Sequence, residues 1–237
     1  MRVSVVLPTY NEIDNIVVLV ESIISHVPRE IQYEILVIDD NSPDQTYEAV
    51  RSAFSGNPAV VPVLRTSDRG LAKSIRAGVE RTSGDLVVLM DTDFNHNPAD
   101  LPRMLHLAQV CDVVVGSRFC AGGSMPDLLH YCLSLAYNWL IRIVLRTQIQ
   151  DNLSGFVAID AKLLRRLPYD VIFHGYGDYF FRLLHCSQRE GAAVLEMPVQ
   201  YLRRKAGRSK SVFWRLLFKY TYALFKFRLS YRKHPCG

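Results

Sequence analysis

Apolar residues in this chain come in short runs separated by stretches of helical period. RVSVVLP opens the chain as a buried strand, and NIVVLVESIISHV follows with apolar positions at helical spacing. EILVID, VVPVL, GDLVVLMD and DVVVGS repeat the strand pattern, and TYEAVRSAF, LAKSIRAGVERT and LPRMLHLAQV between them read as helices. After Ser117 the alternation loosens. LLHYCLSLAYNWLIRIVL predicts a long helix, apolar over much of its surface, followed by SGFVAID as a strand and AKLLRRL and DYFFRLLHCSQ as helices. AAVLEMPVQYL is a further strand, and KSVFWRLLFKYTYALFKFRLSY closes the chain as a helix. Strands alternating with helices predict an α/β fold, Rossmann-like, with a mostly parallel sheet and helices on both faces. The unbroken Val/Ile/Leu runs suit strands buried on both sides.

Three strands end in polar and acidic residues: Tyr10-Asn11-Glu12, Asp39-Asp40-Asn41-Ser42 and Asp91-Thr92-Asp93. In open α/β sheets, ligands bind at the carboxyl ends of the strands, so these three ends face one crevice. Turn and cap chemistry explains Asp44 or Ser83-Gly84 well enough. It explains Asp91 and Asp93 poorly, because two carboxylates directly after LVVLM repel each other unless a cation lies between them. A D-x-D pair suits a hard divalent cation, Mg2+ or Mn2+, shared with substrate phosphates. The chemistry this favours is departure of a phosphorylated leaving group.

With 237 residues and 49% hydrophobic residues, the chain can build one sizeable core. Its formal net charge of +5 hides an asymmetry. From Met197 onward there are 11 Lys or Arg and no acid, which leaves the preceding part with a net charge of −6. A basic end on an acidic body points to an anionic partner, whether phosphorylated substrate or membrane surface. Nucleic-acid binding fits less well, since the basic segment is too apolar for a solvated nucleic-acid face. The 5 cysteines are scattered and form no CxxC or Cys/His spacing, and no secretory signal opens the chain, so a cytosolic setting is expected. Leu128 to Ile141 is the longest uncharged run, and it falls short of the roughly 20 residues that span a bilayer.

Taken together, VSVVLPTYNE, VIDDNSPDQT, RGLAKSIRAG, SGDLVVLMDTDFNHNPADLP, VVVGSRF and the late GRSK resemble the family 2 glycosyltransferases of GT-A fold. Within that family they are similar to the dolichol- or polyprenol-phosphate mannose synthases. The resemblance runs from the first residues to about Lys210. It implies a GT-A domain over residues 1–210, and the residues that follow predict a basic, aromatic, amphipathic helix over 211–237 at a membrane interface. It implies metal-dependent, inverting transfer of a hexose, mannose from GDP-mannose, to a polyprenyl (dolichyl) monophosphate. Pro8, Tyr10, Glu12, Ile38 and Asp40 would hold the nucleoside, and Asp91, Thr92 and Asp93 the metal and diphosphate, with Asn95 beside the metal. Arg118 and Arg204 would meet phosphates of donor or acceptor, and His130 and Ser134 would meet the acceptor phosphate.

The sequence departs from the family pattern in three places. His130 stands where the family carries an acceptor-binding arginine, Asn152 and Val157 replace a proline and an arginine around SGF, and Phe181 replaces an acid. Arg forms bidentate bonds to phosphate, which agrees with Arg118 following a strand end; the alternative is a salt bridge. A phosphate acceptor is already a nucleophile and needs no strong base, whereas a hydroxyl acceptor would need Asp151 or Asp178. The expected site is peripheral on the cytoplasmic face of a membrane. Broadly apolar character with a basic stripe suits the closing helix to an anionic interface, and docking on the domain core is the alternative. The competing functions are a family 2 enzyme using UDP-glucose or UDP-GlcNAc or a saccharide hydroxyl acceptor, and a nucleotide-sugar-binding protein without turnover. The sequence leaves any membrane partner subunit open.

Overall fold

A computed structural model describes residues 1–201 and 213–233. Seven strands form one sheet: β1 (Arg2–Thr9), β2 (Gln32–Asp39), β3 (Val60–Leu64), β4 (Leu86–Leu89), β5 (Val113–Ser117), β6 (Val157–Asp160) and β7 (Val194–Pro198). Their order is β3-β2-β1-β4-β6-β5-β7. All run parallel except β6, which is antiparallel to both β4 and β5.

Register brings the polar strand ends to one edge. Pro8 lies opposite Ile38, and Thr9 opposite Asp39. Val6 pairs with Leu89, so Asp91 emerges beside the end of β1. Because β6 runs the other way, its first residue Val157 pairs with both Leu89 and Val115. The SGF segment just before it is thereby delivered to the edge where β1, β2, β4 and β5 end. Ser117 pairs with Pro198, which brings Tyr201 there as well.

Each face of the sheet buries its own core. Helices α1 (Ile13–His26), α2 (Thr46–Ala53) and α4 (Leu101–Leu107) cover one face, with Ile16, Leu19, Ile23, Val50 and Met104 packed on alternate strand residues. The other face carries α3 (Leu71–Val79), α5 (Leu128–Leu145), α6 (Ala161–Arg166), α7 (Tyr169–Ile172), α8 (Tyr179–Arg189) and α9 (Phe213–Lys233). The α/β reading, the mostly parallel sheet and the terminal helix are all observed. The short α7 was not anticipated. The division expected between residues 210 and 211 falls outside the described residues.

Helix α9 divides its apolar residues between two environments. Leu224 and Phe227 join the main core, and Phe227 meets Phe181 and the edge of His185 on α8. Thr221 reaches Tyr137 of α5, with 3.4 Å between hydroxyls. Phe218, Tyr222, Phe225 and Leu229 stay exposed, beside the exposed Lys219 and Lys226.

The His185–Phe227 contact has a pH consequence. Burial, reinforced by Arg189 and Arg228, lowers the His185 imidazole from 6.5 to about 4. Between those values the unfolded chain binds the proton and the folded one does not, so this contribution to stability is lost as pH falls from 6.5 toward 4. We expect denaturant midpoints of His185→Gln to fall less steeply than those of the wild type over this range. Parallel curves would remove His185 as the cause.

Candidate active site

Side chains at the ends of β1 and β2 are stitched to one another. Asp39 is fully buried and accepts from the Ser42 amide at 2.9 Å and from the Ser42 hydroxyl at 2.5 Å. The Ser42 hydroxyl in turn accepts from the Asn11 amide at 2.9 Å. Asn11 and Asn41 both adopt φ 55, a left-handed conformation that asparagine tolerates. Asp39 thus shapes the turn. Asp40 pairs with Arg65 and accepts from the Gly70 amide at 2.7 Å. Gly70 has φ 134, which only glycine adopts readily. Arg65 also donates to Ser74 Oγ (2.7 Å) and to the Asp68 carbonyl (2.6 Å). Tyr10 lies under the guanidinium of Arg69, 5.2 Å from its ring centre, and Arg69 donates to the Asn41 carbonyl. The Glu12 carboxylate accepts from Asn15 on α1. The structure therefore gathers Pro8, Tyr10, Glu12, Ile38 and Asp40 at adjoining strand ends.

The turn after β4 joins them. Thr92 donates to the Pro8 carbonyl at 3.3 Å. Asp93 accepts from the amide and side chain of Asn95, at 3.1 and 2.9 Å. Asn95 thus orients Asp93. Phe94 takes φ 63, an uncommon conformation outside glycine that reverses the chain between Asp93 and Asn95. Gly155, at φ 80, faces the Asp91 carboxylate; a β-carbon there would stand 3.4 Å from Asp91 Oδ2. The donor set is all oxygen, which suits Mg2+ or Mn2+. Among the described residues, no group of three or more His, Cys, Asp or Glu converges to hold an ion. A carboxylate pair of this kind leaves coordination positions for phosphate and water, so the residues fit a substrate-bridging cation.

Arg118 follows β5 and is buried. Its Nε and one Nη donate to the two oxygens of Asp151 at 2.8 and 2.7 Å, and its amide donates to Asp151 at 3.0 Å. The guanidinium also lies 4.7 Å from the ring centre of Tyr201. Burial works against its charge, but Asp151, Tyr201 and Asp91 outweigh that and raise its pKa. The alternative of a salt bridge is therefore realised, and as a buried one. Asp91 also contributes to that rise, so the Arg118–Asp151 pair lies within electrostatic reach of the strand-end crevice.

The remaining predicted residues are less gathered. His130 and Ser134 lie one turn apart on α5. His130 is exposed and held by Asp127, the N-cap of that helix, at 2.7 Å. The carbonyl of Ser134 accepts from Asn138, whose Oδ1 accepts from the Asn152 amide at 2.6 Å, tying α5 to the loop that carries Gly155. Arg204 lies outside the described residues. The two candidate bases are both engaged. Asp151 serves Arg118, and Asp178 accepts from the Tyr176 amide (2.7 Å) and from the buried Arg182 (2.6 Å).

Several groups were missed from the sequence. His96 was quoted only within DTDFNHNPADLP, yet it is buried against Asp91. Arg65 flanks Asp40 with no local motif to mark it, and Arg69, quoted only as the first residue of RGLAKSIRAG, lies against Tyr10. Tyr201 ends the last strand segment and meets Arg118 only through the fold.

A mostly parallel sheet of this order, with a carboxylate turn and an arginine at its ligand-binding edge, defines a glycosyltransferase of GT-A type. The chain belongs to glycosyl transferase family 2, whose profile matches residues 4–173. It is 34% identical to an undecaprenyl-phosphate mannosyltransferase of Micrococcus luteus, over 89% of this chain and 87% of that one. It is 31% identical to a dolichol-phosphate mannosyltransferase of Pyrococcus furiosus, over 89% of this chain and 59% of that protein. Identity to a polyprenol monophosphomannose synthase of Mycolicibacterium smegmatis is 30%, over 88% and 80%. Among solved structures, a glucosyl-3-phosphoglycerate synthase from Mycobacterium tuberculosis, in complex with Mn2+, UDP and phosphoglyceric acid, matches with a TM-score of 0.75. That match covers 96% of this chain and 78% of the other at 20% identity, and is a likeness of fold.

The Arg118–Asp151 pair gives a stability test. Removing one partner of a buried pair leaves an uncompensated charge, which costs about 3–5 kcal/mol. Asp151→Ala should lower unfolding free energy by that order, and Asp151→Ala with Arg118→Met should recover much of the loss. Chemical denaturation of the three proteins checks this; a double variant no better than Asp151→Ala counts against it.

Proposed function

We propose that the chain transfers mannose from GDP-mannose to a polyprenyl monophosphate, with inversion and with a divalent cation, Mg2+ or Mn2+. The observation that carries this reading is the commitment of Asp151 and Asp178, the two acids considered as bases, to buried arginines. A hydroxyl nucleophile needs a base beside it. A phosphate monoester already carries about −1.5 to −2 charge near neutral pH and needs only alignment. The names of the relatives, all polyprenyl- or dolichol-phosphate mannosyl enzymes, support the same acceptor and sugar.

Asp40 with Arg65, and Tyr10 with Arg69, take the nucleoside in this reading. Asp91 and Asp93 hold the cation, oriented by Asn95, and Thr92 lines the diphosphate. When bound, the cation supplies Lewis-acid stabilisation of the departing diphosphate. Arg118 adds fixed positive charge at that edge, and Arg204 joins it on phosphate. The acceptor phosphate oxygen forms a bond to the anomeric carbon as the bond from that carbon to the β-phosphate oxygen breaks. The electron pair leaves on GDP. Ser134 and His130 on α5 receive the acceptor phosphate.

Membrane association belongs to the same proposal. Helix α5 is long and apolar enough to cross a bilayer, with a mean hydropathy of 1.4. It buries Asn138, Ile141 and Leu145 in the domain, however, which favours a helix lying along the interface. Leu128, Leu129, Trp139 and Ile143 point outward on α5, and Phe218, Tyr222 and Phe225 on the adjoining α9. Exposed Lys219 and Lys226 between the latter suit anionic headgroups, such as those of a cytoplasmic leaflet. No nucleic-acid role is needed to account for the basic end.

Two measurements test the reading. Asp91→Asn and Asp93→Asn should each lower transfer from labelled GDP-mannose by about a hundredfold or more, because metal stabilisation is worth several kcal/mol. Full activity of either variant, or of the wild type in excess EDTA, removes the cation; protection of the protein by UDP and not by GDP redirects the donor to UDP-glucose or UDP-GlcNAc. For the membrane, Trp139→Glu with Phe218→Glu should release the protein from anionic vesicles, whereas salt should weaken wild-type binding without abolishing it. Vesicle binding unchanged in the double variant places the contact elsewhere.

A further inference from the structure

His96 is 1% exposed and sits five residues beyond Asp91. Its Nδ1 lies 3.1 Å from the Asp91 amide, a group that can only donate. Nδ1 must therefore present its lone pair, and the ring proton resides on Nε2. That nitrogen faces the Ser154 carbonyl at 3.0 Å and the Tyr201 hydroxyl at 2.9 Å. The Tyr201 hydroxyl donates to the same carbonyl at 2.5 Å. The ring plane is also fixed. Phe156 stacks on it with centroids 5.0 Å apart and 14° between planes, and Tyr201 meets it edge-on at 5.2 Å.

Every polar and apolar surface of this imidazole is thus occupied, and one of its bonds reaches a carboxylate-bearing residue of the β4 turn. The groups that hold it come from the segment before β6 and from Tyr201, three residues beyond the end of β7. A satisfied core histidine would need only some partner for each nitrogen. Here the partner of Nδ1 is the main chain of the first acid of the D-x-D turn, and the carboxylate of that acid opens onto Gly155 beside the same ring.

We propose that His96 is a positioning residue for the cation site. It holds the Asp91 main chain so that the Asp91 carboxylate faces Gly155, and Ser154, Phe156 and Tyr201 hold His96. The inference rests on the cation site proposed above. Its physical basis is preorganisation: a carboxylate already aimed binds an ion without first losing its freedom of orientation.

Two substitutions of matched chemistry separate positioning from filling space. Asparagine at 96 carries its Oδ1 where histidine carries Nδ1, so His96→Asn can still accept from the Asp91 amide. Glutamine places its amide where histidine carries Nε2, so His96→Gln keeps the Ser154 and Tyr201 side and leaves the Asp91 amide unpaired. Mn2+ binding is measured by calorimetry and by electron paramagnetic resonance in the presence of GDP, with melting temperatures as the fold control. His96→Gln should weaken Mn2+ binding about tenfold, the loss expected from one buried hydrogen bond, and His96→Asn should recover most of it. Equal affinities for the two variants, or tighter binding by His96→Gln, overturn the inference while leaving the cation site standing. Wild-type protein that binds no Mn2+ with GDP present overturns both. Should His96→Gln fail to fold, His96→Ala takes its place: Mn2+ affinity at least about threefold weaker than that of His96→Asn supports positioning through the Asp91 amide, and a smaller difference overturns it.

Discussion

The buried pair of Arg118 and Asp151 ties the ligand-binding edge together. Three hydrogen bonds run from one residue after β5 to one residue in the segment before β6. That segment is held from two further sides. Glu196 on β7 accepts from the amides of Gln150 and Asp151 at 2.7 and 2.9 Å, and Asn138 on α5 accepts from the Asn152 amide. Four elements meet there with the chain direction reversed. An antiparallel strand inside a parallel sheet requires its preceding loop to lie at the carboxyl edge, and the Arg118–Asp151 bonds specify how it lies. Gly155 and Ser154 reach Asp91 and His96 as a consequence. Two charges removed from water stabilise weakly by themselves, so the pair matters more for placing this loop than for its net energy.

Strands and helices were legible because each is a contiguous run with its own period. RVSVVLP and EILVID are apolar and β-branched and form buried strands, whereas VVPVL is the edge strand β3, with Val61 and Leu64 exposed; the helix at Leu128–Leu145 contains the uncharged stretch Leu128–Ile141 and runs past it through Arg142. The direction of β6 was not legible. SGFVAID reads the same parallel or antiparallel, since direction is decided by which strands it joins, not by its residues. The broadly apolar character of α9 was ambiguous between core and interface for a physical reason. Leu224 and Phe227 answer to one environment and Phe218 and Tyr222 to another, so no single face dominates the pattern.

The site was legible where it is local. Asp40, Asp91, Asp93 and Asn95 stand at strand ends, and strand ends are visible in sequence. What holds them was not. Arg65 finds Asp40 across 25 residues, His96 finds Ser154 across 58, and Tyr201 finds Ser154 across 47. Such pairings carry no periodic signal. Arg118 shows the same limit from the other side: its place after a strand end suggested phosphate, and nothing near it in sequence announced Asp151.

In the proposed reaction, the lipid sets a geometric problem that α5 is placed to solve. A polyprenyl chain stays in the bilayer, while its phosphate must reach the edge of the sheet where Asp91 and Asp93 stand. Helix α5 has an outward apolar face at Leu129, Trp139 and Ile143 and an inward bond from Asn138 to Asn152, two residues before Ser154. One helix therefore joins an exposed apolar face to the loop that carries Gly155. Helix α9 braces it through Tyr137 and Thr221 and adds its own exposed aromatic residues beside Lys219 and Lys226. In the proposed reaction, a charged headgroup on this surface is brought toward the sheet edge. The energetic demand on the site is then alignment of an anion that is already nucleophilic, which is consistent with acids near the crevice being spent on structure and not on proton transfer.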